Sequence, residues 1–194
     1  MYLIGQFTQR ASIIKFQKSN MNVDWKLEIK DATGAVSPAS DMNEIYSFTQ
    51  PINDEWIYAC GYKWFDPFQE TFRQAVTMKV STDGELQFVQ VWGDIKNNDA
   101  CRAVSFDESR REVVFMFEAT SPSLRPSYSR YSKYSGSNTD ILIVTMKESG
   151  QLMGGWNINM DTASVSLYIG DHSFFVKDGQ YIFGGQSYGY KTKF

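Results

Sequence analysis

One short apolar pattern recurs four times along this chain, and any fold proposed for it has to place all four copies equivalently. The copies are Met1–Gln9 (MYLIGQFTQ), Glu55–Tyr62 (EWIYACGY), Glu112–Thr120 (EVVFMFEAT) and Gln180–Tyr188 (QYIFGGQSY). Three of them follow a turn-like stretch, Ile52–Asp54, Asp107–Arg111 or Lys177–Gly179. Self-similarity at this spacing is the signature of a repeat architecture, in which one supersecondary unit buries its faces against copies of itself.

A second element follows each copy: Ser12–Phe16, Ala75–Val80, Ile143–Glu148 and, cut short, Lys191–Phe194. It aligns Lys15, Lys79, Lys147 and Lys193. A polar turn then leads into another strand pattern at Val23–Lys30, Glu85–Trp92 and Gln151–Met160. The Asp83-Gly84 and Ser149-Gly150 pairs supply the positive φ that two-residue hairpin turns need. A fourth pattern precedes the template at Asn43–Thr49, Cys101–Phe106 and Asp171–Val176. In order a-b-c-d this predicts antiparallel four-stranded units, approximately 1–30 (partial), 43–93, 101–160 and 171–194 (partial).

Half-exposed antiparallel strands alternate apolar and polar residues. Val113–Phe117 and Ile141–Val144 are instead continuous apolar runs, so they need cover on both faces. With no helical period in the chain, the cover has to be other sheets. Four-stranded meanders sandwiched between their neighbours are the blades of a β-propeller, so the expected fold class is all-β, a propeller segment with two complete and two partial blades. A high aromatic share, 15%, agrees with strands carrying large buried rings.

The c–d hairpins AVTMKVSTDGELQFVQVWG and ILIVTMKESGQLMGGWNI resemble the SBBP-type β-propeller repeat: a strand, an Asp/Ser-Gly turn, and an aromatic-bearing strand. Gln180–Gly189 is similar to the Gly-Gly strand of kelch repeats, although the Asp-Pro and Trp signature of kelch is not found at the matching place. Both resemblances imply a propeller, and neither implies catalysis. The pattern begins and ends inside a unit. The expectation is therefore a segment of a longer propeller, or a chain whose open blade edges pair with another chain.

Candidate chemistry is sparse. The only histidine, His172, falls on the last strand a and has no partner cluster of metal-ligand spacing. Ser81-Thr82-Asp83-Gly84 is one residue too short for the Asp-box of sialidases and reads as a hairpin turn. No arginine cluster for a carboxylate is visible, although Arg73, Arg102, Arg110 and Arg111 are present. Asp24, Asp31 and Asp41 are too irregularly spaced for a calcium loop. Neither a phosphate loop nor a nucleophile elbow occurs. The sequence thus assigns no catalytic residue, metal or cofactor. Cys60 and Cys101 read as buried thiols, with a single bridge between neighbouring sheets as the alternative.

Binding features are more tangible. Strand order places the b–c and d–a connections at one end of the units. The first b–c connection carries Trp64, Phe65, Phe68 and Phe72; the second carries Arg125, Tyr128, Arg130, Tyr131, Lys133 and Tyr134. Aromatic and arginine side chains are what interface hot spots use, so Trp64, Phe65 and Phe68 of the first group and all of the second are the expected partner-binding set. The bland alternatives are a local minicore for the first group and a solvated Ser/Pro-rich loop for the second. The expected function is a non-catalytic structural or protein-interaction module, whose partner is a protein or further blades of the same protein. The alternatives are a carbohydrate-binding or carbohydrate-processing propeller and an extracellular adhesion repeat. A formal net charge of −3 argues against nucleic acid as a partner. No apolar run has the length of a membrane span, and Met1–Gly5 lacks the basic start of a signal peptide. Nothing in the composition assigns a compartment.

Overall fold

The computed structural model describes residues 1–7, 10–28, 44–66, 71–120, 140–158, 166–177 and 179–188. These residues form antiparallel sheets with no helix among them. Sheet I joins β1 (Tyr2–Phe7), β2 (Arg10–Phe16) and β3 (Val23–Glu28). Sheet II joins β4 (Glu44–Thr49), β5 (Trp56–Asp66), β6 (Thr71–Ser81) and β7 (Leu86–Trp92). Sheet III joins β8 (Ala100–Asp107), β9 (Glu112–Ala119), β10 (Asp140–Lys147) and β11 (Leu152–Ile158). Sheet IV pairs β12 (Ser166–Lys177) with β13 (Gln180–Tyr188). Each sheet is a meander in sequence order, so hairpins make every connection within a sheet.

The double-sided apolar runs are covered on both faces. Val113, Phe115 and Phe117 join Tyr58, Cys60 and Phe106 in the core between sheets II and III. Val114 and Met116, alternating with them on the same strand, pack with Ile143 and Phe174 between sheets III and IV. Ala11 and Ile13 meet Ala59, Met78 and Val80 between sheets I and II. Each fully buried phenylalanine or methionine in these layers contributes roughly 2 kcal/mol over leaving it in water. In sheet III burial is greatest in the second strand and least in the fourth: β9 is buried along nearly its whole length, whereas β11 is half exposed. The last strands of sheets I and II, β3 and β7, are likewise largely open to water.

The ladders shift the alignment read from sequence. Lys15 lies opposite Tyr2 and Lys79 opposite Tyr58, so Tyr2 matches Tyr58 rather than Trp56. In the turns, Ser81 N–H donates to the Glu85 carbonyl and Lys147 N–H to that of Gln151. Counting back from those bonds, Lys79 matches Thr145, not Lys147. Short apolar strands look alike at offsets of one or two residues, and only the pairing distinguishes the offsets. The turns themselves are one residue longer than expected. Gly84 N–H returns to Ser81 O and Gly150 N–H to Lys147 O, with φ of +89° and +87° at the two glycines. This is the three-residue hairpin loop with glycine in the left-handed bulge position.

The same inter-sheet contacts recur. Lys15 Nζ donates to Thr82 O at 2.8 Å, from sheet I to the last turn of sheet II. Lys79 Nζ donates to Glu148 O at 2.7 Å, from sheet II to the last turn of sheet III. Beside each lysine an aromatic ring of its sheet's last strand, Trp25 or Phe88, lies on the turn glycine of the next sheet, Gly84 or Gly150. Trp25 Nε1 also donates to Thr82 O. At the first strands, Val104 N–H donates to Ser47 Oγ and Val176 N–H to Ser105 Oγ, linking β4 to β8 and β8 to β12.

Candidate interaction site

The connection expected as a loop after Tyr62 is, over much of its length, an extension of the β5–β6 hairpin. Lys63 pairs with Gln74, Trp64 with Arg73 and Asp66 with Thr71. Trp64 is therefore a strand residue. Alternation puts Tyr62 and Trp64 on one side of the ribbon, and direct pairing puts Arg73 beside them. The Tyr62 and Trp64 rings meet edge to face at 5.3 Å. The Arg73 guanidinium lies 5.4 Å from the Tyr62 centroid and 6.0 Å from that of Trp64.

Two bulges extend this group across sheets. In β4 the register shifts between Ile45 and Ser47, and in β8 between Cys101 and Ala103. The residues within the shifts are Tyr46 and Arg102; a bulge re-aims its extra side chain away from the regular alternation. The Tyr46 and Tyr62 rings sit 5.4 Å apart. Arg102 lies 4.2 Å over the Tyr46 ring and donates from Nε to Glu118 at 2.8 Å. Glu118 is 4% exposed, so Arg102 is what compensates a buried carboxylate. Arg102 and Arg73, unclustered in sequence, thus meet one aromatic group.

The backbone of Arg73 is held at both polar atoms. Its N–H donates to Asn98 Oδ1 at 3.1 Å, and its carbonyl accepts from Asp99 N–H at 2.8 Å. The Asp99 carboxylate in turn accepts from Thr120 N–H, while Asn98 and Thr120 exchange two further bonds. The connection between β7 and β8 therefore bolts the end of β6 to the end of β9. Placing a guanidinium on a fixed backbone lowers the entropy lost when it binds.

Electrostatics set the protonation of the group. Burial, opposed by Arg102, pushes the Tyr46 phenol up to about 12. Burial, then the charge of Glu44 opposite it in the ladder, raises that of Tyr62. Both phenols are neutral at physiological pH and offer ring faces and O–H donors. A guanidinium stacked on such a face keeps its in-plane N–H donors for carboxylates.

Of the residues expected to bind a partner, Trp64 is in this group. Phe65 lies on β5, but its side chain is outside the described residues, as are Phe68, Arg125, Tyr128, Arg130, Tyr131, Lys133 and Tyr134. The His172 backbone lies on β12 within its own register irregularity, between Ile169 and Phe174; its side chain is outside the described residues too. Sequence reasoning missed Tyr46, Tyr62, Arg73 and Arg102 as a group. The available signal was Arg102, a charged residue set between the apolar neighbours Cys101 and Ala103. Among the described residues no group of three or more His, Cys, Asp or Glu side chains could hold a metal ion. No helix among them is long and apolar enough to cross a membrane. No protein-family model matches the chain, and no curated protein matches it either.

Proposed function

We propose that this chain is a β-propeller segment of the SBBP type, with kelch-like repeats as the second choice, acting as a non-catalytic structural or protein-interaction module. The recurrence of lysine–carbonyl and ring-on-glycine contacts from sheet I to II and again from II to III supports the propeller reading. Like contacts between successive units suit a nearly constant rotation, and fourth strands more open to water than the strands before them suit the outer edge of a blade.

The observation that carries the interaction reading is the Trp64–Arg73–Tyr62–Tyr46–Arg102 group at the end of sheets II and III where β5 turns into β6. Aromatic and arginine side chains held by neighbours are what the centres of protein interfaces use. Arg73 already lies over Tyr62 and Trp64, which favours a carboxylate-bearing protein surface over a sugar ring as the occupant. A variant combining Trp64→Ala and Arg73→Ala should lose captured protein partners at least tenfold while its far-ultraviolet circular dichroism stays unchanged. Full retention of every partner by that folded variant rejects the assignment.

A further inference from the structure

We propose that Cys60 and Cys101 are a modification site, a pair of thiols placed to form a disulfide between sheets II and III directly beneath the aromatic–arginine group. Cys60 is on β5 and Cys101 on β8, in different sheets, yet both belong to one core cluster and neither is exposed. Cys60 lies opposite Ser47, whose Oγ accepts from Val104 N–H on the strand that carries Cys101, and Cys101 Sγ faces the Ala103 carbonyl at 3.7 Å. These are the only two cysteines in the chain, so any intramolecular bridge is this one.

Two thiols buried in one core cluster, on sheets already joined at Ser47 and Val104, are placed where a small shift of the sheets could bring them to bonding distance. Burial, with the neighbouring Cys60, pushes the Cys101 thiol well up. The reactive thiolate is therefore scarce in the closed core, and oxidation has to proceed through an opening of the II–III contact or during folding. With oxidised glutathione as oxidant, one cysteine thiolate attacks its disulfide and releases one glutathione thiol. The second cysteine then attacks the mixed disulfide and releases the other. Two cysteine thiols are oxidised, one glutathione disulfide is reduced to two thiols, and the two cysteine protons end, by way of the solvent, on the glutathione sulfurs.

Tyr62 is two residues from Cys60, and Arg102 follows Cys101 directly. A bridge would tie the two strands that present these side chains. It would also close a loop of about 40 residues in the unfolded chain, which restricts that state. The proposal stands whether or not the surface above it binds a partner.

The test oxidises the reduced, folded protein with oxidised glutathione in sub-denaturing urea, with tryptophan fluorescence confirming that the fold is kept. Free thiols are then counted by maleimide labelling after full unfolding. The expected result is loss of both thiols, a mass lighter by two hydrogens, and a cross-linked peptide containing Cys60 and Cys101. The thermal midpoint should rise by about 5–10 °C and return on reduction. A Cys60→Ser variant should show no such rise. Two thiols still free after oxidation, stable glutathione adducts on both, or bridges only between chains overturn the proposal.

Discussion

Lys79 shows how a single side chain can hold two sheets together at a cost. It is 7% exposed, reaches Glu148 O, and lies 4.2 Å from the centroid of the Trp56 ring. Burial lowers its pKa, with Glu148 and Asp54 opposing, so the ammonium is held in a place that disfavours charge. Its contribution then comes as much from the aliphatic stem as from the head. Lys79→Ala is expected to cost about 2–3 kcal/mol, because it empties the space beside Trp56 and leaves the carbonyl unbonded. Lys79→Met, which keeps the stem and removes the desolvated charge, should cost under about 1 kcal/mol. Urea denaturation of the two variants checks the order; equal losses would mean that the hydrogen bond, not the stem, carries the contact.

At the scale of the element, the fourth-strand turns couple local backbone chemistry to the neighbouring sheet. Gly84 and Gly150 both need left-handed φ, and alanine at either is strained. They differ in what a Cβ would meet. At Gly84 it would come within 2.9 Å of Trp25 Cδ2, whereas at Gly150 the nearest atom is Phe88 Cε1 at 3.3 Å. Gly84→Ala should therefore destabilise by about 2–3 kcal/mol and Gly150→Ala by about 1–2 kcal/mol. Trp25→Ala in the Gly84→Ala background should return only the difference, which a double-mutant cycle measures. The Asp-Gly and Ser-Gly pairs were legible as turns. The ring seated on each glycine was not, because it comes from a different unit of the chain.

Across the molecule, the seams between sheets are unequal. The first two carry the lysine and the aromatic ring. In sheet III the matching positions are Thr145 and Gly154, and the Thr145 hydroxyl donates within its own sheet to Gly154 O at 3.4 Å. Sheet IV packs on sheet III through Phe174 and the Val176–Ser105 bond, while Phe175, paired with Ile182, is 52% exposed. Local opening draws on regions with little apolar burial. In native-state hydrogen exchange, amides of β12 and β13 should exchange well before those of β5, β6, β9 and β10. Equal protection across all four sheets would show that the third seam needs no staple.

For the described residues, which leave out the strand expected at Lys191–Phe194, the sequence by itself determined the strands, their order, their antiparallel connection and the demand for cover on both faces of the central runs. Those follow from local periodicity, turn chemistry and the pattern Val113–Phe117, which has no polar face to give to water. Only the tertiary structure decided the pairing offsets, because apolar strands tolerate shifts in sequence that hydrogen-bonded ladders do not. It also decided which side chains meet. Tyr46 and Arg102 become neighbours through bulges in strands of different sheets, and Cys60 meets Cys101 across the core those sheets share. Contacts of that kind depend on how one unit is set against the next, and that setting is not written in either unit alone.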